Sequence, residues 1–122
     1  MIPNTLSIAG VDPSGGAGVL ADVKTMSALG AYGMAVIAAL TAQNTRAVTG
    51  ISPVPPEFVA AQIDTLFADV RVDAVKIGML HSPEVVQVVA DAIRRYQLPN
   101  VVLDPVMVAK GGSPLLAAEA LE

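Results

Sequence analysis

Short apolar runs and helical apolar stripes alternate along this chain. The runs are continuous, as in VIAAL and VVL, and predict core strands at 5–9, 34–40, 74–79 and 100–103. Between them, apolar residues recur at helical spacing and predict helices that begin near 17, 55 and 83, with another over 115–121. Continuous apolar strands are typical of parallel sheets buried on both faces. The pattern therefore predicts an α/β fold in which helices cover a mostly parallel central sheet.

Local signals mark several helix ends. Ser82, Pro83 and Glu84 supply in turn a cap, a first-turn proline and a first-turn acid for the third helix. Gly30 is expected to stop the first helix. The third helix has the strongest amphipathic stripe, which consists of Val85, Val88, Val89, Ala92, Ile93 and Tyr96.

The chain is expected to belong to a single domain, since it has no linker and no internal repeat. Residues 45–54 form an extended, irregular segment that contains Gly50 and Pro53. The sequence stops partway into a helix just after the fourth core strand, which leaves that helix without a return strand. We therefore expect residues 1–122 to be the N-terminal part of a larger domain.

Composition narrows the class of protein. Seven Lys and Arg against eleven Asp and Glu give a net charge of −4, without a basic cluster, so a nucleic-acid partner is not expected. The absence of Cys excludes disulfides and thiol chemistry within these residues. No apolar run reaches the roughly 18 residues of a membrane-spanning helix, and no secretory signal opens the chain. A cytoplasmic protein without a membrane partner is the expectation.

A glycine-rich loop, GVDPSGGAG at 10–18, connects the first predicted strand to the first helix. Open α/β sheets bind ligands at such strand ends, where glycines let backbone N–H groups approach the ligand. The loop is not a P-loop, because Val19 follows Gly18 where Lys would stand. Its G-x-G-x-x-A spacing resembles a dinucleotide-binding motif, but the acid expected about 20 residues later is absent from 34–42. A ligand-free tight turn is the other interpretation.

Polar residues near the strand ends and in the first helix are further candidates. Asp22 is either a solvated first-turn acid or a carboxylate that points into a ligand cleft. Gln43 and Asn44 follow an apolar strand, where an amide can recognise a heterocycle or form a turn. Asp104 follows the fourth strand and is either a cation ligand or an ordinary turn residue before proline.

Lys110 and the single histidine complete the candidates. Lys110, followed by two glycines, would place a cation over the same edge or lie in a mobile loop. His81 is expected to be a surface residue, and neither a metal site nor a Ser-His-Asp triad is predicted around it.

Taken in order, these motifs resemble the N-terminal half of the hydroxymethylpyrimidine/phosphomethylpyrimidine kinase family. The resemblance covers essentially the whole chain and rests on four ordered segments: TLSIAGVDPSGGAGVLADVKTMSALGAYG at 5–33, TAQNT at 41–45, KIGML at 76–80 and VVLDPVMVAKGG at 101–112. It implies a ribokinase-like three-layer fold, truncated here after the fourth core strand.

The resemblance also implies an activity. Members of the family transfer the γ-phosphoryl group of ATP to 4-amino-5-hydroxymethyl-2-methylpyrimidine, and then phosphorylate the monophosphate, in thiamine biosynthesis. By position, Gln43 would bind the aminopyrimidine, and Asp104 and Lys110 would lie near the phosphates and Mg²⁺, with Asp104 as a metal ligand. The remaining substrate-pocket residues implied by the resemblance are Gly10, Asp22, Met79 and Val106. Residues 45–54 resemble a lid segment that also contributes to a homodimer.

Two motifs of the family are missing from these 122 residues. They are the TPN-x-x-E segment, which helps to hold magnesium, and the C-terminal G-T-G-C anion hole with its catalytic cysteine. The resemblance therefore assigns no catalytic residue within this chain, and the chain alone is expected to lack kinase activity. The alternatives are a pyridoxal or pyridoxine kinase, which shares the fold and reaction type, and a non-catalytic pyrimidine-binding half-domain.

Overall fold

A computed structural model describes residues 1–104 and shows a five-stranded sheet with three helices. The elements, in chain order, are β1 (Asn4–Val11), α1 (Gly18–Ala28), β2 (Tyr32–Gln43), β3 (Val48–Pro53), α2 (Pro56–Phe67), β4 (Ala74–Ile77), α3 (Pro83–Tyr96) and β5 (Val101–Leu103). The helix expected over 115–121, together with Val106 and Lys110, lies outside the described residues.

The sheet has the strand order β3-β2-β1-β4-β5 and confirms the predicted mostly parallel arrangement. β1 pairs in parallel with β2 and β4, and β4 pairs in parallel with β5. Only β3 runs antiparallel, against the end of β2, among the strands of residues 1–104. Segment 45–54, predicted to be extended, thus supplies an antiparallel edge strand.

Helices cover both faces of the sheet. α2 and α3 pack on one face, where every second residue of the inner strands is apolar. The fully buried strand residues of this core are Leu6, Ile8, Val36, Ala38 and Val75, and they meet Val59, Ile63, Val85, Val89 and Ala92 from the two helices. α1 lies on the opposite face, against β1 and β2. The result is a three-layer α/β/α arrangement.

Tertiary pairing makes two strands longer than their apolar runs. β2 continues past Leu40 to Gln43 because Thr41 and Gln43 pair with Ile51 and Val48 of β3. β1 continues to Val11 because it resumes pairing with β2 after a register shift at Ala9/Gly10. Both extensions bring polar or glycine-rich sequence to the carboxyl edge of the sheet, where the candidate site lies.

The helix ends follow the local signals. The side chain of Ser82 accepts a hydrogen bond of 3.2 Å from the N–H of Val85, with Pro83 and Glu84 in the first turn of α3. α1 ends at Ala28, and Gly30 has φ +87°, a left-handed conformation that suits glycine. Within the described part of the chain, none of the helices is long and apolar enough to cross a membrane.

Candidate active site

A cleft lies at the carboxyl edge of the sheet, between the glycine-rich loop and the ends of β2 and β4. The cleft is open on one side, and the free space within it, including the adjoining solvent, is about 440 Å³. The walls include Gly10, Asp12, Gly18, Thr41, Gln43, Lys76, Gly78 and Met79. Three of the residues predicted from the sequence, Gly10, Gln43 and Met79, therefore meet in one cleft.

The glycine-rich loop folds around the carboxylate of Asp12. Asp12 is only 4% exposed, and it accepts hydrogen bonds from the N–H of Ser14 (2.8 Å), the hydroxyl of Ser14 (2.6 Å) and the N–H of Gly16 (3.0 Å). Burial raises the pKa of Asp12, but hydrogen bonds from Ser14, Gly16 and Ala17 outweigh it and leave the pKa below its ordinary value of 3.8.

These hydrogen bonds change the expected role of the loop. The sequence suggested that its backbone N–H groups would face a ligand, yet those of Ser14 and Gly16 point to Asp12. Asp12 thus supplies the negative charge that the N-terminal end of α1 favours. The loop therefore forms a wall of the cleft in which the N–H groups of Ser14 and Gly16 are bound to Asp12 and do not face a ligand.

Close backbone contact across the loop requires glycine at position 18, and a side-chain contact occupies the space beside Gly10. Gly18 has φ +63°, and a Cβ atom there would lie 2.2 Å from the carbonyl oxygen of Gly10. At Gly10, a Cβ atom would lie 2.4 Å from the Cε of Met79 and 3.4 Å from the carbonyl oxygen of Ala39. Gly10 and Met79 thus form a contact surface in which the methionine side chain takes the space that a residue 10 side chain would fill.

Gln43 reaches the cleft from the last position of β2. The Thr41 hydroxyl lies 2.6 Å from the carbonyl oxygen of Val11 and 3.2 Å from the amide oxygen of Gln43. A hydroxyl has one proton, and the shorter contact to Val11 uses it. The Gln43 amide therefore keeps donor and acceptor capacity for a ligand.

Asn44 takes the other role that the sequence left open for this pair of amides. Its side-chain oxygen accepts hydrogen bonds from the N–H groups of Arg46 (2.8 Å) and Ala47 (3.0 Å) and closes the turn between β2 and β3.

Asp22 lies beneath the cleft on the α1 face of the sheet. Its Oδ2 accepts hydrogen bonds from the Ser7 hydroxyl (2.6 Å) and the Lys76 ammonium (2.8 Å), and its side chain is 19% exposed. The interpretation as a solvated first-turn acid is therefore wrong, because strands β1 and β4 bring Ser7 and Lys76 against it. Asp22 borders the cleft through Lys76, which lines it.

Asp104 follows β5 at the same edge. Its carboxylate is 64% exposed and lies 4.0 Å from the Lys76 ammonium. Kinase sites commonly hold Mg²⁺ with one or two carboxylates together with substrate phosphates, and an exposed strand-end aspartate fits that donor set. No group of three His, Asp or Glu residues that could hold a metal ion occurs within 1–104.

His81 departs from its prediction as a surface residue. It is half-buried, its Nδ1 atom is shielded from solvent, and that atom has no hydrogen-bond partner within residues 1–104. The chain turns sharply here, since His81 has φ +77°. Sequence pattern alone does not indicate such a turn after β4.

Sequence reasoning missed Asp12, Thr41 and Lys76 as parts of the site. Asp12 lies in a motif that was interpreted through its glycines, and Thr41 lies two residues before Gln43, whose amide is the candidate of that segment. Lys76 alternates with the buried residues Val75 and Ile77 in β4, so a single lysine within a core strand was the available signal.

Comparison with known proteins accounts for this arrangement. Residues 12–122 match the profile of the phosphomethylpyrimidine kinase family. The hydroxymethylpyrimidine/phosphomethylpyrimidine kinase of Escherichia coli K12 is 59% identical over 118 residues, covering 97% of this chain and 44% of that protein. The chain thus spans about half the length of the curated relatives it matches.

Solved structures agree with the sequence relatives. The crystal structure of phosphomethylpyrimidine kinase from Clostridium difficile 630 aligns with a TM-score of 0.89 and 47% identity, covering 97% of this chain and 51% of that one. An ADP complex of Bacillus subtilis pyridoxal kinase aligns with a TM-score of 0.81 and 38% identity, covering 91% and 42%. These neighbours confirm the ribokinase-like fold. Because the family match runs through most of the glycine loop, the Gln43 strand end and the Lys76–Met79 segment that together form the cleft, the chain belongs to the phosphomethylpyrimidine kinase family.

Proposed function

We propose that this chain supplies the pyrimidine-binding part of an ATP-dependent kinase. The substrate is 4-amino-5-hydroxymethyl-2-methylpyrimidine, followed by its monophosphate, and the products serve thiamine biosynthesis. The observation that carries the proposal is the Gln43 amide at the mouth of a cleft walled by Gly10 and Met79, in a chain 59% identical to such a kinase.

The cleft offers complementary chemistry to an aminopyrimidine. A 4-amino group donates and the adjacent ring nitrogen accepts, and a glutamine amide provides the matching acceptor and donor. Met79 is an apolar wall against which the flat ring can stack, with Val106 proposed for the opposite side. Gly10 has no side chain, so Met79 can pack against the backbone there and remain part of the cleft wall.

The reaction proposed is phosphoryl transfer to the hydroxymethyl oxygen. In the first round a new P–O bond forms to that oxygen as the bond between the γ-phosphorus and ADP breaks, and the hydroxyl proton is released to water. In the second round a phosphate oxygen of the monophosphate is the acceptor. Such transfer depends on positioning and charge neutralisation more than on covalent chemistry by the protein. ATP is the proposed phosphoryl donor, with Asp104 contributing to Mg²⁺ binding and Lys110 to the phosphates. No residue of this chain is proposed as a catalytic base.

Isothermal titration calorimetry with the pyrimidine tests the proposal directly. Wild-type chain should bind 4-amino-5-hydroxymethyl-2-methylpyrimidine, and Gln43→Leu should weaken binding by about tenfold or more, the size of two lost hydrogen bonds. Gln87→Leu is the matched control, since Gln87 lies exposed on α3 and bonds only Asp91 among the described residues. Undetectable binding by the wild type would contradict the proposal.

A phosphorylation assay separates the enzyme from the half-domain. ATP, Mg²⁺ and the pyrimidine are supplied, with the E. coli relative as positive control. Binding without turnover favours the non-catalytic pyrimidine-binding module, whereas turnover by the chain would overturn our expectation that it is inactive alone.

Pyridoxal is the second candidate substrate, because the B. subtilis pyridoxal kinase shares 38% identity with this chain. Titration of the same sample with pyridoxal distinguishes the two. The pyrimidine should bind more tightly, since pyridoxal lacks the amino group beside a ring nitrogen that the Gln43 amide matches.

We also propose a cytoplasmic homodimer that includes β3. β3 is an edge strand of the described sheet, and its outer side leaves backbone groups available to a second copy. Multi-angle light scattering tests this assembly, and a monomer at all accessible concentrations would contradict it.

A further inference from the structure

The Lys76 ammonium is a cation in the wall of the cleft, and none of the pyrimidine contacts proposed for Gln43 and Met79 involves it. It lines the cleft together with Gln43, Gly78 and Met79. Its one hydrogen bond within residues 1–104 goes to Asp22 at 2.8 Å, and Asp104 is too distant, at 4.0 Å, to accept another. Since an ammonium has three N–H donors, two remain available to a ligand.

The surroundings of Lys76 hold the ammonium in place. Asp22 is itself fixed by the hydroxyl of the fully buried Ser7, which donates to the same Oδ2 atom. A Cβ atom at Gly78 would lie 3.0 Å from the Lys76 Nζ, so the glycine keeps space open beside the ammonium. A lysine held this way pays little additional entropy when it binds a ligand.

Chemistry then selects the ligand atom that Lys76 meets. Lys76 can only donate, so it cannot serve the 4-amino group of the pyrimidine. The Gln43 amide already matches that amino group and the neighbouring ring nitrogen. Two acceptors remain, the second ring nitrogen and the exocyclic oxygen on the 5-position carbon. The oxygen is a hydroxyl in the first substrate and part of an anionic phosphate ester in the second, and an ammonium bonds most strongly to a charged acceptor. A pyrimidine without this oxygen keeps both ring nitrogens, so experiment can tell the two acceptors apart.

We propose that Lys76 binds this exocyclic oxygen and that Asp22 is a positioning residue that acts through Lys76. The inference rests on the proposed pyrimidine function and adds the residue that recognises the oxygen that the first phosphorylation modifies. Asp22, which the family resemblance places in the substrate pocket, contacts Lys76 and does not itself line the cleft.

Calorimetry with three ligands tests the proposal on the full chain. They are 4-amino-5-hydroxymethyl-2-methylpyrimidine, its monophosphate, and 4-amino-2,5-dimethylpyrimidine, which lacks the oxygen. Wild type should prefer the two oxygen-bearing ligands by about tenfold or more, as expected for a hydrogen bond to a charged group. Lys76→Met should reduce this preference to near unity while affinity for the dimethyl compound stays nearly unchanged. A loss for the monophosphate alone would assign Lys76 to phosphate oxygens and would overturn its assignment to the exocyclic oxygen.

Two controls separate binding from a structural role. Lys24→Met makes the same change at an exposed α1 lysine that does not line the cleft, and it should keep the wild-type preference. Lys76→Met leaves the Asp22 carboxylate without its cation, so the double variant Lys76→Met/Asp22→Asn is included to restore folding. This variant should recover thermal stability but not the preference for oxygen.

Three further results would overturn the inference. A Lys76→Met or double variant that keeps the wild-type preference would show that Lys76 does not meet the oxygen. A wild type that binds all three ligands equally would do the same while leaving the pyrimidine site intact. A wild type that binds none would refute the proposed function, and the inference would fall with it.

Discussion

Replacement of Asp12 by asparagine tests whether the glycine-rich loop is held by one buried charge. Asp12→Asn preserves the shape of the side chain but turns one carboxylate oxygen into a donor. In the wild-type chain, Oδ1 of Asp12 accepts two hydrogen bonds from Ser14, at 2.8 and 2.6 Å, and Oδ2 accepts one from Gly16, at 3.0 Å. An amide cannot accept on both sides, so at least one N–H loses its partner in a loop where Asp12 is 4% exposed.

The structure sets the size of the expected effect. A lost hydrogen bond to a charged group, with a buried donor left unsatisfied, corresponds to about 2–3 kcal/mol of the free energy of unfolding. The three contacts share one carboxylate, so their energies do not add independently. The thermal midpoint of a chain of this length should fall by roughly 10 °C.

The pKa of Asp12 also predicts how the destabilisation of Asp12→Asn depends on pH. The pKa of Asp12 is lower in the folded chain than its ordinary value of 3.8, so the charged carboxylate stabilises the fold above that value. This contribution is lost as the pH falls through the lowered, folded-state pKa. The difference in stability between wild type and Asp12→Asn should therefore be full near neutral pH and shrink below about pH 4.

Urea denaturation followed by circular dichroism measures both effects. Asp69→Asn serves as the control, because Asp69 is exposed and its substitution should change stability by less than about 0.5 kcal/mol. An Asp12→Asn variant as stable as wild type would refute the account of the loop. A destabilisation that stayed constant down to acid pH would show that the charge is not its cause.

Three further predictions follow from other contacts. Gly18→Ala should lower the free energy of unfolding by about 2 kcal/mol or more, because Gly18 has φ +63° and the new Cβ would lie 2.2 Å from the Gly10 carbonyl oxygen. Gly50→Ala is the matched control in the same denaturation assay, since the nearest atom to its Cβ would lie 3.7 Å away. Gly10→Ala should change the free energy of unfolding by less than about 1 kcal/mol, because the new Cβ meets only the flexible Cε end of Met79 at close range. The same variant should weaken pyrimidine binding in calorimetry, because the new methyl group displaces the Met79 side chain. Unchanged affinity would contradict this role of Met79. The hydrogen bond to Asp64 raises the pKa of the Tyr96 phenol. The stability that this bond contributes is therefore present below the ordinary pKa of 10.0 and is lost as the pH rises through the higher folded-state pKa. Ultraviolet titration should show one tyrosine that ionises at higher pH than usual, and Asp64→Asn should shift its ionisation to lower pH.

The local elements of this fold could be predicted from the sequence because their causes are local. The Ser82 side chain caps α3 by accepting a hydrogen bond from the N–H of Val85, three residues later in the chain. Gly30 lies just after the C-terminal end of α1. The continuous apolar runs likewise predicted parallel strands, and the runs in β1, β2 and β4 contribute buried core residues. The run in β5, at the edge of the described sheet, is exposed instead of buried. Gly10, Gln43 and Met79 were found from ordered motifs and do line one cleft.

Tertiary structure alone decided how those residues are used. Lys76 and Asp22 are 54 residues apart in the chain, and only the pairing of β4 beside β1, under α1, brings them to 2.8 Å. The pairing of β2 with β3 likewise places Gln43 at the end of a strand rather than in a loop, and leaves Asn44 to close the turn. Periodicity records which residues are buried but not which distant polar groups meet. The sequence thus determined the elements and the family of this protein, whereas the crossing of distant strands determined that Lys76, rather than Asp22, faces the cleft.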